Sequence, residues 1–278
     1  VVAQYHHMVR VESLAFDWTG GNLYWIDSGN KAIEVVRKDG NYRRELINST
    51  HLDKPRGLVL DPHYGYMYWT DWSNSNPRIM KSTMDANEST IQTIINGKDN
   101  VYWPNGITID HRSMRIYWTD AHLDRISSAN LDGSDIKPLI QGTYFAPHPY
   151  AIGIYKDKIY WSDWLKRGIF SADKRTGHGI IEVKANITDV MDLKILDYLS
   201  QHEVTACSSS NGGCSQLCLP KPGIFDLTKK NRTCKCGEMM PRSINPDSGD
   251  ERCTCPPGES LDKTNYFCVK DARSEERR

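Results

Sequence analysis

The stretch Tyr117-Trp118-Thr119-Asp120 is the pattern that decides the fold of this 278-residue chain. Three related copies occur elsewhere in the sequence: Tyr24-Trp25-Ile26-Asp27, Tyr68-Trp69-Thr70-Asp71 and Tyr160-Trp161-Ser162-Asp163. The copies follow one another at intervals of about 45 residues, a period typical of either a four-stranded propeller blade or a helical repeat.

The residues around the third copy favour the propeller over the helical alternative. They form four short runs rich in β-branched and aromatic residues, separated by turn-forming residues such as Asp132 and Gly133. The runs are Gly106–Asp110, Arg115–Thr119, Arg125–Ala129 and Ile136–Ile140. None of them offers the long apolar face of period 3.6 that a helical repeat needs. The sequence therefore predicts an all-β fold, a β-propeller.

The repeated residues have a structural role in this interpretation. Alternate side chains of a strand face opposite sides of its sheet, so we expect the tyrosine and tryptophan to pack against the two neighbouring blades. We expect the aspartate at the strand end to accept hydrogen bonds from backbone N–H groups of the following turn. Four equivalent carboxylates also fit a ring of metal ligands or acid–base pairs, but a residue that recurs once per blade usually builds the blade. The aspartates are Asp27, Asp71, Asp120 and Asp163.

Charge and cysteine content limit the classes of protein to which this chain can belong. Lysine plus arginine and aspartate plus glutamate both total 35, which gives no support to a nucleic-acid partner, because phosphate binding needs clustered positive charge. All eight cysteines lie in the last part of the chain, as expected for a disulfide framework formed in an oxidising compartment. A zinc site is the competing interpretation, but the close pairs are C-x-C rather than C-x-x-C, and no histidine lies among the cysteines. They are Cys207, Cys214, Cys218, Cys234, Cys236, Cys253, Cys255 and Cys268.

Four N-x-S/T sequons agree with secretion and are candidate glycosylation sites. Their asparagines are Asn48, Asn87, Asn186 and Asn231. No stretch approaches the 18 apolar residues of a membrane span, and the first residues lack the features of a signal peptide. We therefore expect a mature or excised extracellular fragment.

Together these motifs resemble the LDL-receptor family, and most of all its large endocytic receptors of the megalin type. The resemblance runs from about Val11 to Cys268 and includes Asn211-Gly-Gly-Cys214-Ser-Gln-Leu-Cys218 in the cysteine-rich part. It also includes Trp103-Pro-Asn-Gly-Ile-Thr-Ile-Asp110, His148-Pro-Tyr-Ala-Ile152 and Asp189-Val-Met-Asp-Leu-Lys194. The resemblance implies a six-bladed YWTD propeller with an EGF-like module beneath it.

The sequence departs from this family pattern in its number of repeats. Four YWxD copies are present, and Met191–Ile195 resembles the innermost strand of the last blade. By comparison with the family, the first blade and part of the last are missing from this chain. Because a partial propeller would expose unpaired edges, we expect the remaining blades and flanking modules to belong to the same receptor. The predicted domains are a partial propeller (1–203), an EGF-like module (204–269) and a charged linker or tail (270–278).

The cysteine-rich module departs from the family in a second way, since family modules carry six cysteines and this one has eight. The family pattern implies a Cys207–Cys218 disulfide and a closing Cys255–Cys268 disulfide, and leaves the middle four cysteines unassigned. The acidic pair that precedes calcium-binding modules of the family is absent before Cys207. We expect no cofactor or metal in this segment, and calcium only in class A repeats elsewhere in the receptor.

The resemblance implies a ligand-binding ring on the top face of the propeller. Residues at matching points of successive repeats are predicted to form it: Glu12, Arg56, Asn105 and His148. Family members that bind Asn-x-Ile peptide loops use an asparagine equivalent to Asn105, with an arginine equivalent to Arg56 nearby. The apolar wall is predicted to come from Trp103, Tyr144, Phe145 and Tyr150. The alternative is purely structural, with Asn105 forming a turn before Gly106 and Arg56 pairing with an aspartate of a neighbouring blade.

Histidine suggests a second feature, because it changes charge between pH 5 and 8. Of the nine histidines, His122 and His148 are the candidates for pH sensing, since they fall at top-face or loop positions. A satisfied surface or turn residue is the alternative for each.

Three functions follow from these observations. The leading hypothesis is an extracellular segment of an LDL-receptor-related endocytic receptor, which binds protein ligands and releases them at the acidic pH of the endosome lumen. The full-length receptor would be anchored in the membrane outside this segment. The alternative is a Wnt co-receptor-type or matrix-type propeller that binds protein ligands through an Asn-x-Ile pocket. A propeller hydrolase is the weakest hypothesis, because the sequence contains no G-x-S-x-G or H-E-x-x-H motif.

Overall fold

The structure is a computed structural model that describes residues 8–97, 100–188, 190–196, 204–223, 231–238, 240, 242–255, 259–261 and 268–270. Within these residues the regular structure is β-strand, apart from short 3-10 helices at Glu88–Thr90 and Ser210–Gly213. Neither helix of the described part of the chain is long and apolar enough to span a lipid bilayer. The predicted all-β propeller is therefore observed.

Four four-stranded antiparallel sheets form the blades, each built in chain order from the centre outward. The first contains β1 (Val11–Asp17), β2 (Asn22–Asp27), β3 (Ala32–Arg37) and β4 (Arg44–Ile47). The second contains β5 (Pro55–Asp61), β6 (Tyr66–Asp71), β7 (Arg78–Thr83) and β8 (Gln92–Asn96). The third contains β9 (Pro104–Asp110), β10 (Arg115–Asp120), β11 (Arg125–Asn130) and β12 (Lys137–Gln141). The fourth contains β13 (Pro149–Tyr155), β14 (Lys158–Asp163), β15 (Gly168–Asp173) and β16 (Ile181–Lys184).

The described residues thus hold four blades, so the six blades implied by the resemblance are not confirmed. Met191–Ile195, predicted to form the innermost strand of a further blade, is not a strand in the structure. It nevertheless packs against β13, since a Cβ placed on Gly153 would lie 2.9 Å from side-chain atoms of Leu193 and Ile195. The boundary predicted at residue 203 lies outside the described residues.

The tyrosine and tryptophan of the repeat fill the spaces between blades. Each space contains the tyrosine of one blade and the tryptophan of the next, within a single buried apolar cluster. The pairs are Tyr24 with Trp69, Tyr68 with Trp118, and Tyr117 with Trp161. This arrangement is the one expected from opposite orientations of successive side chains in a strand.

The third position of the repeat joins innermost strands of neighbouring blades. The Thr70 hydroxyl donates to the backbone oxygen of Asn105 at 2.6 Å, and the Thr119 hydroxyl donates to that of Tyr150 at 2.6 Å. Glycine makes this close approach feasible, because a Cβ on Gly57 or Gly106 would lie 2.4 or 2.5 Å from the same oxygens.

We call the end of the propeller at which the innermost strands begin the top face, and the opposite end the base. The disulfide-rich region contains three two-stranded sheets. Their strands are β17 (Leu217–Pro220), β18 (Arg232–Lys235), β19 (Arg242–Ile244), β20 (Glu251–Cys253), β21 (Glu259–Leu261) and β22 (Cys268–Lys270).

Disulfides hold this region together. Cys207 is bonded to Cys218, which is the bond implied by the family pattern. The structure also assigns two of the bonds that the sequence left open, Cys214–Cys234 and Cys236–Cys253. Cys255 is disulfide-bonded as well, and the side chain of Cys268, its predicted partner, lies outside the described residues.

The disulfide-rich region is docked on the base of the first two blades. Leu217 and Leu219 are fully buried within the same apolar cluster as Tyr24 and Trp69. Polar contacts surround them, including hydrogen bonds from Asn22 Nδ2 to the Cys218 oxygen at 2.8 Å and from the Thr233 hydroxyl to Asp85 Oδ2 at 2.6 Å. Ion pairs join Arg44 to Glu251 at 3.2 Å and Arg43 to Glu238 at 2.9 Å. The base is therefore a packed and paired interface.

Candidate functional site

The second residue of each innermost strand points into a small pocket at the centre of the top face. These residues are Glu12, Arg56, Asn105 and Tyr150. The pocket has a volume of about 30 Å³ and is also bordered by Met191, Asp192 and Lys194. The structure thus brings together three of the four residues predicted for the ring.

His148 is the exception, and its predicted place in the ring is corrected. It precedes β13, and its backbone N–H donates to Asp163 Oδ2 at 3.1 Å. The backbone N–H groups of Lys54 and Trp103 bind Asp71 and Asp120 in the same way, at 2.8 and 3.1 Å. His148 therefore matches Lys54 and Trp103, and the fourth ring position belongs to Tyr150, which had been predicted for the apolar wall.

Arg56 is held between a carboxylate and an aromatic ring. Its Nη1 lies 2.7 Å from Glu12 Oε2, and its guanidinium stacks 4.1 Å from the centre of the Trp72 ring. The other Glu12 oxygen accepts from the Ser28 hydroxyl at 2.8 Å. Burial raises the pKa of Tyr150, while the neighbouring Arg56 opposes this rise. Arg56 is therefore held in one orientation, with its charge partly neutralised.

Asn105 combines burial with free hydrogen-bonding capacity. Its side chain is buried in the pocket wall, and its Nδ2 lies 3.5 Å from the Pro149 oxygen, at the limit of a hydrogen bond. A carboxamide has two donor hydrogens and an acceptor oxygen, and a long bond of this kind uses little of that capacity. An incoming amide could therefore pair with Asn105 in a site largely screened from water.

Aromatic side chains surround the ring on the second, third and fourth blades. Trp72 and Trp103 meet edge to face at 5.7 Å, and Tyr150 stacks on Trp164 at 4.6 Å. Farther out, several large apolar side chains are exposed: Trp103, Tyr144, Phe145, Trp164 and Leu165. We refer to these five residues, including the aliphatic Leu165, together with Trp72 as the aromatic arc.

Trp72, Trp164 and Leu165 were missed by sequence reasoning. Trp72 and Trp164 immediately follow the aspartate of a YWxD copy, at Asp71 and Asp163. That position lies on the top face in each blade, so the spacing itself carried a signal that could have identified them.

The repeated aspartates fix the loops of the top face. Asp120 accepts backbone N–H bonds from His122 and Leu123 in the following turn, at 3.1 and 3.0 Å. It also accepts from Tyr102 and Trp103, at 2.6 and 3.1 Å, in the segment that leads into β9. This second set of donors was not predicted. One carboxylate therefore clamps two loops together at the top of its blade.

The same clamp has an electrostatic consequence at Asp27. Burial by itself raises the pKa of this carboxyl, but backbone N–H bonds from Val9, Arg10, Asn30 and Gly29 outweigh it and lower the pKa. Among the described residues, no group of three or more His, Cys, Asp and Glu side chains could hold a metal ion.

The two predicted pH-sensing histidines both contact the aromatic arc. His122 stacks on Tyr102 at 3.8 Å and lies 5.0 Å from Trp103. His148 stacks on Trp164 at 5.5 Å. A third histidine, His111, lies at the base with Nδ1 3.6 Å from the buried carboxylate of Asp61, a contact that the sequence did not indicate.

The candidate glycosylation sites differ in their surroundings. Asn48 and Asn87 are exposed, and the side-chain oxygen of each accepts from the hydroxyl of its own sequon, at Thr50 and Ser89. Asn186 is exposed just after β16. The Asn231 sequon differs, because its Thr233 is buried against the base.

Comparison with known proteins identifies relatives over much of the chain. Residues 21–62, 65–111 and 114–155 match the family described as low-density lipoprotein receptor repeat class B. A vitellogenin receptor from Solenopsis invicta is 31% identical over 240 residues, which cover 86% of this chain and 12% of that receptor. The chain thus spans a small part of the length of this relative. A chain in the crystal structure of a nidogen/laminin complex superposes with a TM-score of 0.58 and 31% identity, covering 67% of this chain and 66% of that one.

Proposed function

The chain belongs to the LDL-receptor family of YWTD β-propeller proteins, and from that premise we propose that it is an extracellular receptor segment that binds a protein ligand on its top face. The observation that carries the proposal is the aromatic arc around a polar ring. At the level of the family, the relatives are receptors and binding propellers rather than enzymes.

The composition of the top face supports a protein ligand. Aromatic residues and arginine are enriched among the residues that dominate the energy of protein interfaces. Four aromatic side chains of the arc are between 37% and 79% exposed: Trp103, Tyr144, Phe145 and Trp164. Their exposure leaves apolar area that a partner would cover, while Arg56 and Asn105 supply directional polar contacts at the centre.

The ligand would present a short loop with an asparagine followed, two positions later, by an apolar residue. Its carboxamide would pair with Asn105, and its apolar side chain would pack on Trp103 or Trp164. Specificity would follow, because a ligand without the amide would leave the buried Asn105 carboxamide unsatisfied.

The endocytic version of the proposal adds release at acidic pH, in the manner of the large receptors of the megalin type. His122 and His148 are suited to it because they stack within the proposed contact surface. Histidine is the side chain whose charge changes between pH 5 and 8, and a charge beside apolar ligand atoms is costly to bury without a partner.

A matrix-type binding propeller is the second candidate. The likeness to a chain of the nidogen/laminin complex, at 31% identity, favours it. It shares the top-face pocket with the endocytic proposal but needs no acid release, so pH dependence separates the two.

The test uses a fluorescent Asn-Ala-Ile peptide and the full secreted ectodomain that carries this chain. We expect saturable binding at pH 7.4 and at least a tenfold loss with Asn105→Ala, since a site built to bond an amide discriminates strongly when a partner is missing. Asn130→Ala, in the β11 strand away from the top centre, is the matched control. Equal binding by wild type and Asn105→Ala would refute the pocket, and loss of wild-type binding at pH 5.5 would favour the endocytic form.

A further inference from the structure

A second cavity lies beside the central pocket, at the top of the first and second blades. Its volume is about 350 Å³, far larger than the pocket itself. The lining residues are Arg10, Glu12, Ser28, Lys31, Asp53, Lys54, Arg56 and Trp72. We call this cavity the basic groove, because four of its residues are cationic and two are acidic.

The two carboxylates of the basic groove already have partners. Glu12 pairs with Arg56 at 2.7 Å, and Asp53 pairs with Lys31 at 3.0 Å. The bond from Lys31 is the largest of the effects that lower the pKa of Asp53. The two acids are therefore each paired with a cation of the groove, and these pairs cancel two of the four positive charges.

The remaining two cations, Arg10 and Lys54, carry the net charge of the groove. Within the described part of the chain, neither has a carboxylate within 4 Å of its charged group. Lys54 Nζ instead lies 3.1 Å from the neutral Asn74 Oδ1 and 5.9 Å from the centre of the Trp72 ring. Two uncompensated cations thus flank a cavity with an aromatic floor.

We infer that the basic groove binds an acidic side chain of the protein ligand, next to the residue held in the central pocket. This inference rests on the proposed function and names the chemistry of the ligand's flanking residues. Arg56 and Glu12 line both cavities, so one continuous peptide reaches from one to the other. A carboxylate between Arg10 and Lys54 complements their charge, and its methylene carbons pack on Trp72.

A long polyanion such as a sulfated polysaccharide fits the groove less well. Polyanion binding requires many cations along one surface, whereas the groove has two uncompensated ones. Lys194, which borders the central pocket, does not extend it, since it is paired with Asp192 at 3.2 Å.

The experiment compares three peptides on the full secreted ectodomain: Asn-Ala-Ile flanked by glutamates, the same core flanked by glutamines, and a glutamate peptide without the core. We expect the glutamate-flanked peptide to bind about 5- to 30-fold more tightly than the glutamine-flanked one, as two partly exposed ion pairs would give. The preference should vanish in Arg10→Glu/Lys54→Glu and in 0.5 M salt, where surface charges are screened. Lys156→Glu/Lys158→Glu, at the base end of β13 and β14, makes the same charge change and should keep it.

The outcomes separate the two proposals. Equal affinity for both core peptides in the wild-type protein overturns the basic groove while leaving the central pocket intact. If neither core peptide binds, the proposed function fails, and the peptide without the core then tests the basic groove by itself. Binding of this glutamate peptide that is lost in Arg10→Glu/Lys54→Glu supports the basic groove. Absence of binding overturns it. Tighter binding of a heparin hexasaccharide than of the glutamate-flanked peptide also overturns it.

Discussion

The base and the top face of the propeller carry similar side chains in different surroundings. At the base, Leu219 is fully buried and Arg44 is paired with a buried glutamate of the docked module. On the top face, Leu165 is 69% exposed, and Arg56 sits in the wall of an open pocket. At the base, Leu219 is covered by a partner within the chain, whereas the described residues leave Leu165 of the top face largely uncovered. Arg56, like Arg44, is paired with a glutamate. The exposed apolar area on the top face is what the proposed ligand would cover.

The largest expected effect is a difference in protein stability between a substitution at the base and one on the top face. Leu219→Ala should lower the free energy of unfolding by about 2–5 kcal/mol, because it removes buried methyl groups and leaves a cavity. Leu165→Ala should change it by no more than about 0.5 kcal/mol, as is usual for exposed positions. Urea denaturation of both variants, followed by tryptophan fluorescence, measures the contrast. Similar losses in the two variants would contradict the assignment of base and top face.

The second prediction concerns acid stability within the docked module. Asp250 accepts from Arg232 at 2.6 and 2.7 Å and from the Cys234 N–H at 2.9 Å. Burial alone raises the pKa of Asp250, but these bonds outweigh it and hold the pKa below its usual value. A depressed pKa in the folded state adds stability above the unfolded pKa of about 3.9, and that stability is lost as pH falls through the folded value.

The contribution of Asp250 to the free energy of unfolding should therefore be the same at pH 5.5 as at pH 7.4. It should decrease only below about pH 4. Asp250→Asn should lose on the order of 1 kcal/mol at pH 7.4 and show a smaller further loss below pH 4. Thermal unfolding at pH 7.4, 5.5 and 3.5 checks both statements. A steep loss for wild type between pH 7.4 and 5.5 that Asp250→Asn abolishes would contradict this prediction.

Much of this architecture could be predicted from the sequence, because it depends on repetition. The spacing of the YWxD copies was enough to predict the four blades. The alternation of side chains along a strand was enough to predict the Tyr–Trp packing between the blades. The ring positions of Arg56 and Asn105 were predicted from matching points of successive repeats, as the family resemblance implies, and both residues stand in a Pro-x-Gly triplet at the start of β5 or β9.

Prediction failed where the repeat is irregular. In β13 the corresponding triplet is Pro149-Tyr150-Ala151, without the glycine, and here the prediction placed His148 in the ring instead of Tyr150. The docking of Leu217 and Leu219 on the first two blades, and the basic groove, depend on how distant segments meet. No local pattern carries that information.

The smallest expected effect tests whether acid sensitivity belongs to the top face alone. His122 stacks on Tyr102, next to the aromatic arc. It lies near Asp124, and burial is the main cause that raises the pKa of this carboxyl. His111 provides a matched histidine at the base, beside Asp61. A histidine that gains a charge next to apolar ligand atoms costs about 0.5–1 kcal/mol at a partly solvated site, or about two- to fivefold in affinity.

His122→Gln should therefore bind the Asn-Ala-Ile peptide as wild type does at pH 7.4, and about two- to fivefold more tightly than wild type at pH 5.5. His111→Gln should follow wild type at both pH values, because its ring lies at the opposite end of the blades. Surface plasmon resonance with the immobilised peptide gives both comparisons from one titration series. If His111→Gln relieved the acid loss and His122→Gln did not, acid would act through the blade interfaces at the base, and the top face would bind its ligand without sensing pH.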